Sequence, residues 1–295
     1  MNNERIAPGP AAFGLMVLLC AIWGMQQIAI KVANTGISPV MQAGLRSAIA
    51  AVLVLAWARW RGIPLLSRDG SVWPGVVAGL LFGLEFALIF VGLEHTTVSR
   101  MVVFLYSAPC FTVLGLHWFV AGERMGLRHG AGVMLAFAGL VAAFSDRTSG
   151  GSVLGDALGV LAAIFWAATT VVIRATALAR ISATKVLLYQ LAISAALMFP
   201  LSLGTGETGI SMLNAEVLLA MAFQAVIVAF ASYLVWFWLL TRYLAGRLLV
   251  FSFLTPLFGV LFGMLLMGDR PNGGFFAAAA LVVTGIILVN LPTRR

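Results

Sequence analysis

Apolar residues run along this chain in blocks of about twenty, each cut off by charge, glycine or proline. The blocks cover residues 11–33, 39–60, 72–93, 97–121, 128–146, 153–178, 183–203, 216–241, 247–267 and 274–291. A helix of about 20 apolar residues crosses the hydrocarbon core of a bilayer. The pattern therefore predicts an all-α integral membrane protein of ten transmembrane helices. Nothing alternates with period two over the ~10-residue stretches of an outer-membrane barrel, so strands are not expected. The block at 11–33 lacks a cleavage site and is too long for the apolar part of a signal peptide. It is read as a retained helix.

Composition strengthens this reading. Of the 295 residues, 62% are apolar and 9% charged, against about 25% charged in soluble domains. Ten spans consume nearly the whole chain and leave no room for a soluble domain. A net charge of +8 would suit nucleic acid, but the Lys and Arg residues sit singly or in pairs between the blocks. That is the pattern of positive-inside topology, not of a phosphate-binding face, and no nucleic-acid partner is expected. Thirteen of the eighteen cations fall on one side of the ten-span plan, among them Arg59, Arg61, Arg68, Arg124 and Arg128. Lys31, Arg100, Arg147 and Arg270 fall on the other, and Arg46 lies within a span. The imbalance places both termini in the cytoplasm. Cys20 and Cys110 lie in separate apolar blocks and imply neither a disulfide nor a metal framework.

Self-comparison adds the organisation. Trp23 precedes Lys31 by eight residues, and Trp166 precedes Arg174 by eight. Arg100 precedes Pro109 by nine, and Arg247 precedes Pro256 by nine. Glu123-Arg124 and Asp269-Arg270 follow, then Gly139 and Gly285, at offsets that stay within 143 to 147 residues. The chain thus divides into five-helix repeats at 1–148 and 149–295. Five is odd, so the halves enter the membrane in opposite senses. Inverted repeats around a central cavity are a device of transporters that alternate between inward-open and outward-open states.

The segments Ala21-Ile22-Trp23-Gly24, Arg100…Pro109, Arg247…Pro256 and Gly122-Glu123-Arg124 resemble the drug/metabolite transporter superfamily in its ten-helix EamA-type branch. Within that branch the chain is similar to the YddG-type exporters of aromatic and other amino acids. The resemblance covers essentially the full length. It implies ten helices around a central cavity and export of small metabolites across the bacterial inner membrane.

Candidate chemistry is sparse. Glu85 is the one acid well inside an apolar block. A buried charge there is costly and should face a cavity or a partner. It can bind a substrate ammonium, carry a coupling proton, or pair with Lys31 or Arg46. Arg46 can hold a substrate carboxylate as a guanidinium fork, or snorkel to the interface. Gln26, Gln27, Gln42, Tyr106, Tyr189, Gln190, Gln224 and Ser252 can line a wet cavity or tie helices together. Phe82, Phe86 and Phe90 recur at helical spacing and face either a pocket or lipid; Trp166 is a further cavity candidate. Pro109 and Pro256 fall mid-block, so kinks in a pair of gating helices are expected. Glycines every fourth residue at Gly75, Gly79 and Gly83 predict close helix packing.

The histidines have no ligand spacing, and no phosphate loop or nucleophile motif appears. No cofactor or metal is expected. The sequence predicts a secondary transporter for amino acids or related metabolites, with a small-molecule substrate, the lipid bilayer and protons as partners, acting as a monomer. The alternatives are an exporter of drugs or other metabolites on the same fold, and an intramembrane enzyme. The enzyme reading lacks a second acid or a histidine at membrane depth beside Glu85.

Overall fold

The structure is a computed structural model that describes residues 9–120, 126–145, 150–242 and 254–290. Helices account for nearly all of it. They are α1 (Pro10–Ala33), α2 (Pro39–Trp60), α3 (Val72–His95), α4 (Val98–Leu105), α5 (Ala108–Phe119), α6 (Leu127–Ser145) and α7 (Val153–Ala175). After a short 3₁₀ turn at Ala177–Arg180 come α8 (Ala183–Gly204) and α9 (Ala215–Ala222). A π-helical stretch (Phe223–Ser232) continues into α10 (Tyr233–Arg242), and α11 (Leu254–Met267) and α12 (Gly273–Asn290) complete the chain. Among the described residues, seven helices are long and apolar enough to cross a membrane and three shorter ones are apolar.

Local chemistry sets the ends. Pro10 and Pro39 open α1 and α2, where a missing N–H costs nothing. Ser152, Ser182 and Asn214 accept backbone N–H groups at the starts of α7, α8 and α9. The largest departure from the sequence pattern lies at 97–121. There the helix breaks at Tyr106-Ser107, just before Pro109, which becomes an opening residue of α5 rather than the centre of a bent helix. Pro256 is buried in the first turn of α11; the residues before Leu254, including Ser252 and Arg247, lie outside the described residues. Glu123-Arg124 lies outside them as well.

The packing repeats itself. α1 lies on α11 as α7 lies on α4 and α5; α3 lies on α7 as α9 and the π-helical stretch lie on α1. α2 packs on α8, α4 on α11 and α6 on α12. Along the α6–α12 seam, a Cβ on Gly139 would meet the Ala278 carbonyl at 2.7 Å, and one on Gly285 would meet the Gly132 carbonyl at 2.5 Å. Each residue of the first contact lies 146 positions from its counterpart in the second. Gly285→Val should therefore destabilise the protein by about 1–3 kcal/mol, because the added methyls meet backbone that cannot yield. A lowered thermal unfolding midpoint in detergent measures it. Gly75 and Gly79 likewise let α3 approach Tyr189 and Ile193 of α8.

Two polar fastenings join loops at opposite ends of α2 and α8. At one end the Glu207 carboxylate accepts the N–H groups of Val40 and Met41, both at 2.9 Å, at the start of α2. Ile37 and Ile210 form a single antiparallel bridge beside it. At the other end Lys185 Nζ, in the first turn of α8, donates to Asp69 at 2.8 Å and to Ser67. The Lys185 ammonium and the Ser71 and Ser67 hydroxyls hold the Asp69 carboxyl well below the usual carboxylate range. A depressed folded-state value means that the pair stabilises fully above the ordinary carboxyl pKa of about 3.9. That stability is lost as pH falls through the lower, folded value. Wild type and Asp69→Asn should therefore differ in unfolding midpoint at pH 7 and converge in strong acid.

Candidate functional site

Buried inside the bundle is a mixed polar and aromatic cluster. α2 contributes Arg46, which is 0% exposed, and α3 contributes Glu85, which is 5% exposed. Their charges act on one another, but Glu85 forms no direct ion pair among the described residues. The Arg46 guanidinium lies 4.0 Å from the centre of the Phe86 ring, a cation–π contact. Its Nη2 reaches the Tyr233 hydroxyl at 3.5 Å, while Nε and Nη1 find no hydrogen-bonding partner among the described residues. Buried donors are almost always satisfied, so these two nitrogens are an exception. Snorkelling to the interface is excluded by its complete burial.

Aromatic rings pack into the same core. Phe82 and Phe86 lie 4.7 Å apart, and both are buried with Phe90, so this stripe faces the bundle and not lipid. Tyr106, at the α4–α5 break, meets Trp166 of α7 edge-on at 5.4 Å. It lies within electrostatic reach of Cys20, Tyr233 and Glu85, with Thr255 of α11 beside it. The broken helix thus delivers a phenol to the interior. Trp23 meets Trp236 edge-on at 5.8 Å and donates to Ser232 Oγ at 2.9 Å. Trp238 is exposed.

Three predicted polar residues sit apart from Arg46 in a layer one turn along. Gln27, Gln42 and Gln224 are buried, and the latter two donate to α1 carbonyls at Ile30 and Ala29. Gln26 is buried nearby on α1, and Gln190 is buried on α8 with Ser194, whose hydroxyl meets that of Ser47 at 3.1 Å. Tyr189 is elsewhere: its hydroxyl meets Ser71 near the Lys185–Asp69 fastening. Beyond the glutamines a cavity of about 390 Å³ opens among the ends of α1, α3 and α11 and the start of α9. Lys31, Asn34, Glu94 and Glu216 line it. Lys31 donates to the Thr96 carbonyl, so it is not the partner of Glu85.

Sequence reasoning placed Arg100 at a span end. It is fully buried instead, with Nη2 2.6 Å from Asp156 Oδ2 and Nε 3.0 Å from Oδ1. Thr96 and the Ala143 carbonyl complete the group. Asp156 escaped notice because an acid just after Ser152, in the first turn of a helix, reads as an ordinary response to the helix dipole. A second buried acid therefore exists beside Glu85, but its bonds are structural.

Comparison with known proteins gives this geometry a setting. A transporter of Archaeoglobus fulgidus described as an "Uncharacterized transporter" is 28% identical over 288 residues, covering 95% of this chain and 96% of the relative. A "Probable amino-acid metabolite efflux pump" of Escherichia coli is 26% identical, with 93% of each chain covered. One solved crystal structure superposes with a TM-score of 0.67 at 23% identity, over 95% of this chain and 97% of that one, a likeness of fold. The EamA-like transporter family matches residues 11–145 and again residues 153–291. With nearly the whole chain matched and the helices long and apolar enough to cross a membrane, this protein belongs to the EamA-like transporter family of the drug/metabolite transporter superfamily and is a multi-pass membrane transporter.

Proposed function

We propose that the protein exports small amphoteric metabolites, amino acids foremost, across the bacterial inner membrane. The observation that carries this reading is the buried Arg46, with two nitrogens unpartnered among the described residues, in electrostatic reach of Glu85, an acid without a direct ion pair among them. Arg46 reads the carboxylate of the substrate, since a guanidinium fork matches it. Glu85 faces the ammonium, and Phe82, Phe86, Tyr106 and Trp166 receive the side chain. The name of the Escherichia coli relative, an amino-acid metabolite efflux pump, supports the same substrate class.

The mechanism proposed is alternating access between inverted halves, 1–148 and 149–295, each of five helices. The double family match and the paired contacts of the α6–α12 seam support it. Both termini are placed in the cytoplasm on the charge count, and the protein works as a monomer without a cofactor or an enzymatic step.

Purified protein in liposomes loaded with labelled amino acids tests the reading. Saturable flux of at least one amino acid is expected. No flux for any of the twenty would remove amino acids as the substrate class. A pH gradient then separates two modes of drive. If Glu85 carries a coupling proton, Glu85→Gln abolishes gradient-driven accumulation but leaves exchange down a substrate gradient.

A further inference from the structure

Tyr233 opens α10, and its side chain packs, partly buried, against the main core. It follows by nine residues Gln224, whose amide reaches the Ala29 carbonyl of α1. At about 3.6 residues per turn, nine residues make two and a half turns, so an α-helix would put the two side chains on opposite faces. The stretch Phe223–Ser232 is π-helical instead, and its i→i+5 bonds add nearly one residue to each turn. Nine residues then come to about two whole turns, and both side chains turn inward. Wide turns of this kind are rare and recur at functional sites. This one delivers a hydroxyl to Arg46, 3.5 Å from Nη2.

Nη2 is the nitrogen that a carboxylate needs in either orientation. A guanidinium has two edges that hold both carboxylate oxygens at once, Nε with Nη2 and Nη1 with Nη2. Nη2 belongs to both and turns one N–H to each. Nε and Nη1, without a hydrogen-bonding partner among the described residues, lie on different edges. A hydroxyl bonded to one N–H of Nη2 therefore closes one edge and leaves the other complete. The Phe86 ring, 4.0 Å from the guanidinium carbon, covers a flat face and holds the plane in place. We propose that Tyr233 is a specificity-determining residue, which closes one edge of Arg46 and makes a substrate carboxylate seat on the other.

A fixed edge has a consequence for handedness. Glu85 lies in electrostatic reach of both Arg46 and Tyr233 and draws the substrate ammonium. With carboxylate and ammonium both placed, the third substituent on the α-carbon has one direction for each hand of an amino acid. One hand sends its side chain to the aromatic rings and the other does not. With both edges open, the carboxylate turns to suit either hand. This inference rests on the proposed reading of a carboxylate by Arg46.

The test is enantiomer selectivity in liposomes that contain the full chain. Efflux is measured over a range of internal concentrations, for wild type and Tyr233→Phe. Both hands of each chiral amino acid that wild type carries are used, starting with phenylalanine and leucine. Tyr233→Phe keeps the ring and removes only the hydroxyl, and unfolding midpoints check that both proteins are folded. Wild type should half-saturate at a lower concentration with one hand of each pair. Tyr233→Phe should narrow that ratio about three- to tenfold, the range for loss of one hydrogen bond, mainly by admitting the disfavoured hand. A residue that served packing alone would change both hands together and leave the ratio as it was. Equal half-saturation for the two hands in wild type, or an unchanged ratio in Tyr233→Phe, would overturn the inference and leave the amino-acid reading standing. Wild type that carries no amino acid of either hand would overturn that reading, and this inference with it.

Discussion

Arg46→Leu protein in liposomes is expected to lose about 100-fold or more of its substrate flux while unfolding at the same or a higher temperature than wild type. The two halves of that result have one cause. A guanidinium at the centre of a transmembrane helix costs about 2.5–3.5 kcal/mol on insertion scales. Here it recovers only part of that cost, through the Phe86 ring at 4.0 Å and a long bond to Tyr233 at 3.5 Å, while Nε and Nη1 are unpartnered among the described residues. Leucine removes the cost. It also removes hydrogen bonds to a charged substrate group, each worth about 1.5–3 kcal/mol, which is about 10- to 150-fold per bond. Arg46→Lys keeps the charge but not the fork, and should recover only a small part of the flux. An arginine that served only assembly would behave the other way, with Arg46→Leu losing stability before flux. Flux assays and thermal unfolding on the same preparations decide between them.

The second large effect concerns stability. Asp156→Leu should destabilise the protein by about 3–5 kcal/mol, because it removes a buried carboxylate set against a buried guanidinium. The double variant Arg100→Met/Asp156→Leu should recover most of the loss, since a buried ion pair contributes little over well-packed apolar residues. Unfolding midpoints of the two single variants and the double, taken as a cycle, measure the coupling. Near-additive losses would mean that the pair does not act as a unit. Arg100 also lies 5.5 Å from the Phe104 ring and 5.7 Å from Phe275, so its replacement must fill that space.

The contrast between these two arginines shows what a linear pattern can and cannot convey. Helix ends were legible because they rest on local chemistry: Pro39 opens α2, Ser182 caps α8, and the predicted blocks at 39–60 and 183–203 lie within a residue of the helices. The seventh helix ends early at Ala175, because Thr176 caps the 3₁₀ turn that follows. The break at Tyr106-Ser107 was half legible. Pro109 announced a disturbance but not that the chain would stop and restart before it. Partners were not legible. Arg46 admitted a ligand role and a snorkelling role until packing buried it under Phe86. Gln42 and Gln224 lie far apart in sequence, and only the approach of α2 and the π-helical stretch to α1 brings both amides to adjacent carbonyls. Tyr189 looked like its neighbour Gln190, yet its ring covers Gly75 near the end of the bundle.

The pairing of helix contacts bears on energetics as well as on shape. On the two-half reading, α2–α8, α4–α11 and α6–α12 are each their own counterpart when the halves trade roles. Such seams keep the same neighbours in both states and can serve as a fulcrum. The packing of α3 on α7 is more extensive than that of α9 and the π-helical stretch on α1, and this inequality must reverse when access changes sides. The two states are then near-copies of one set of interactions, nearly degenerate by construction. A molecule that binds them unequally by even a few kcal/mol is enough to tip the balance.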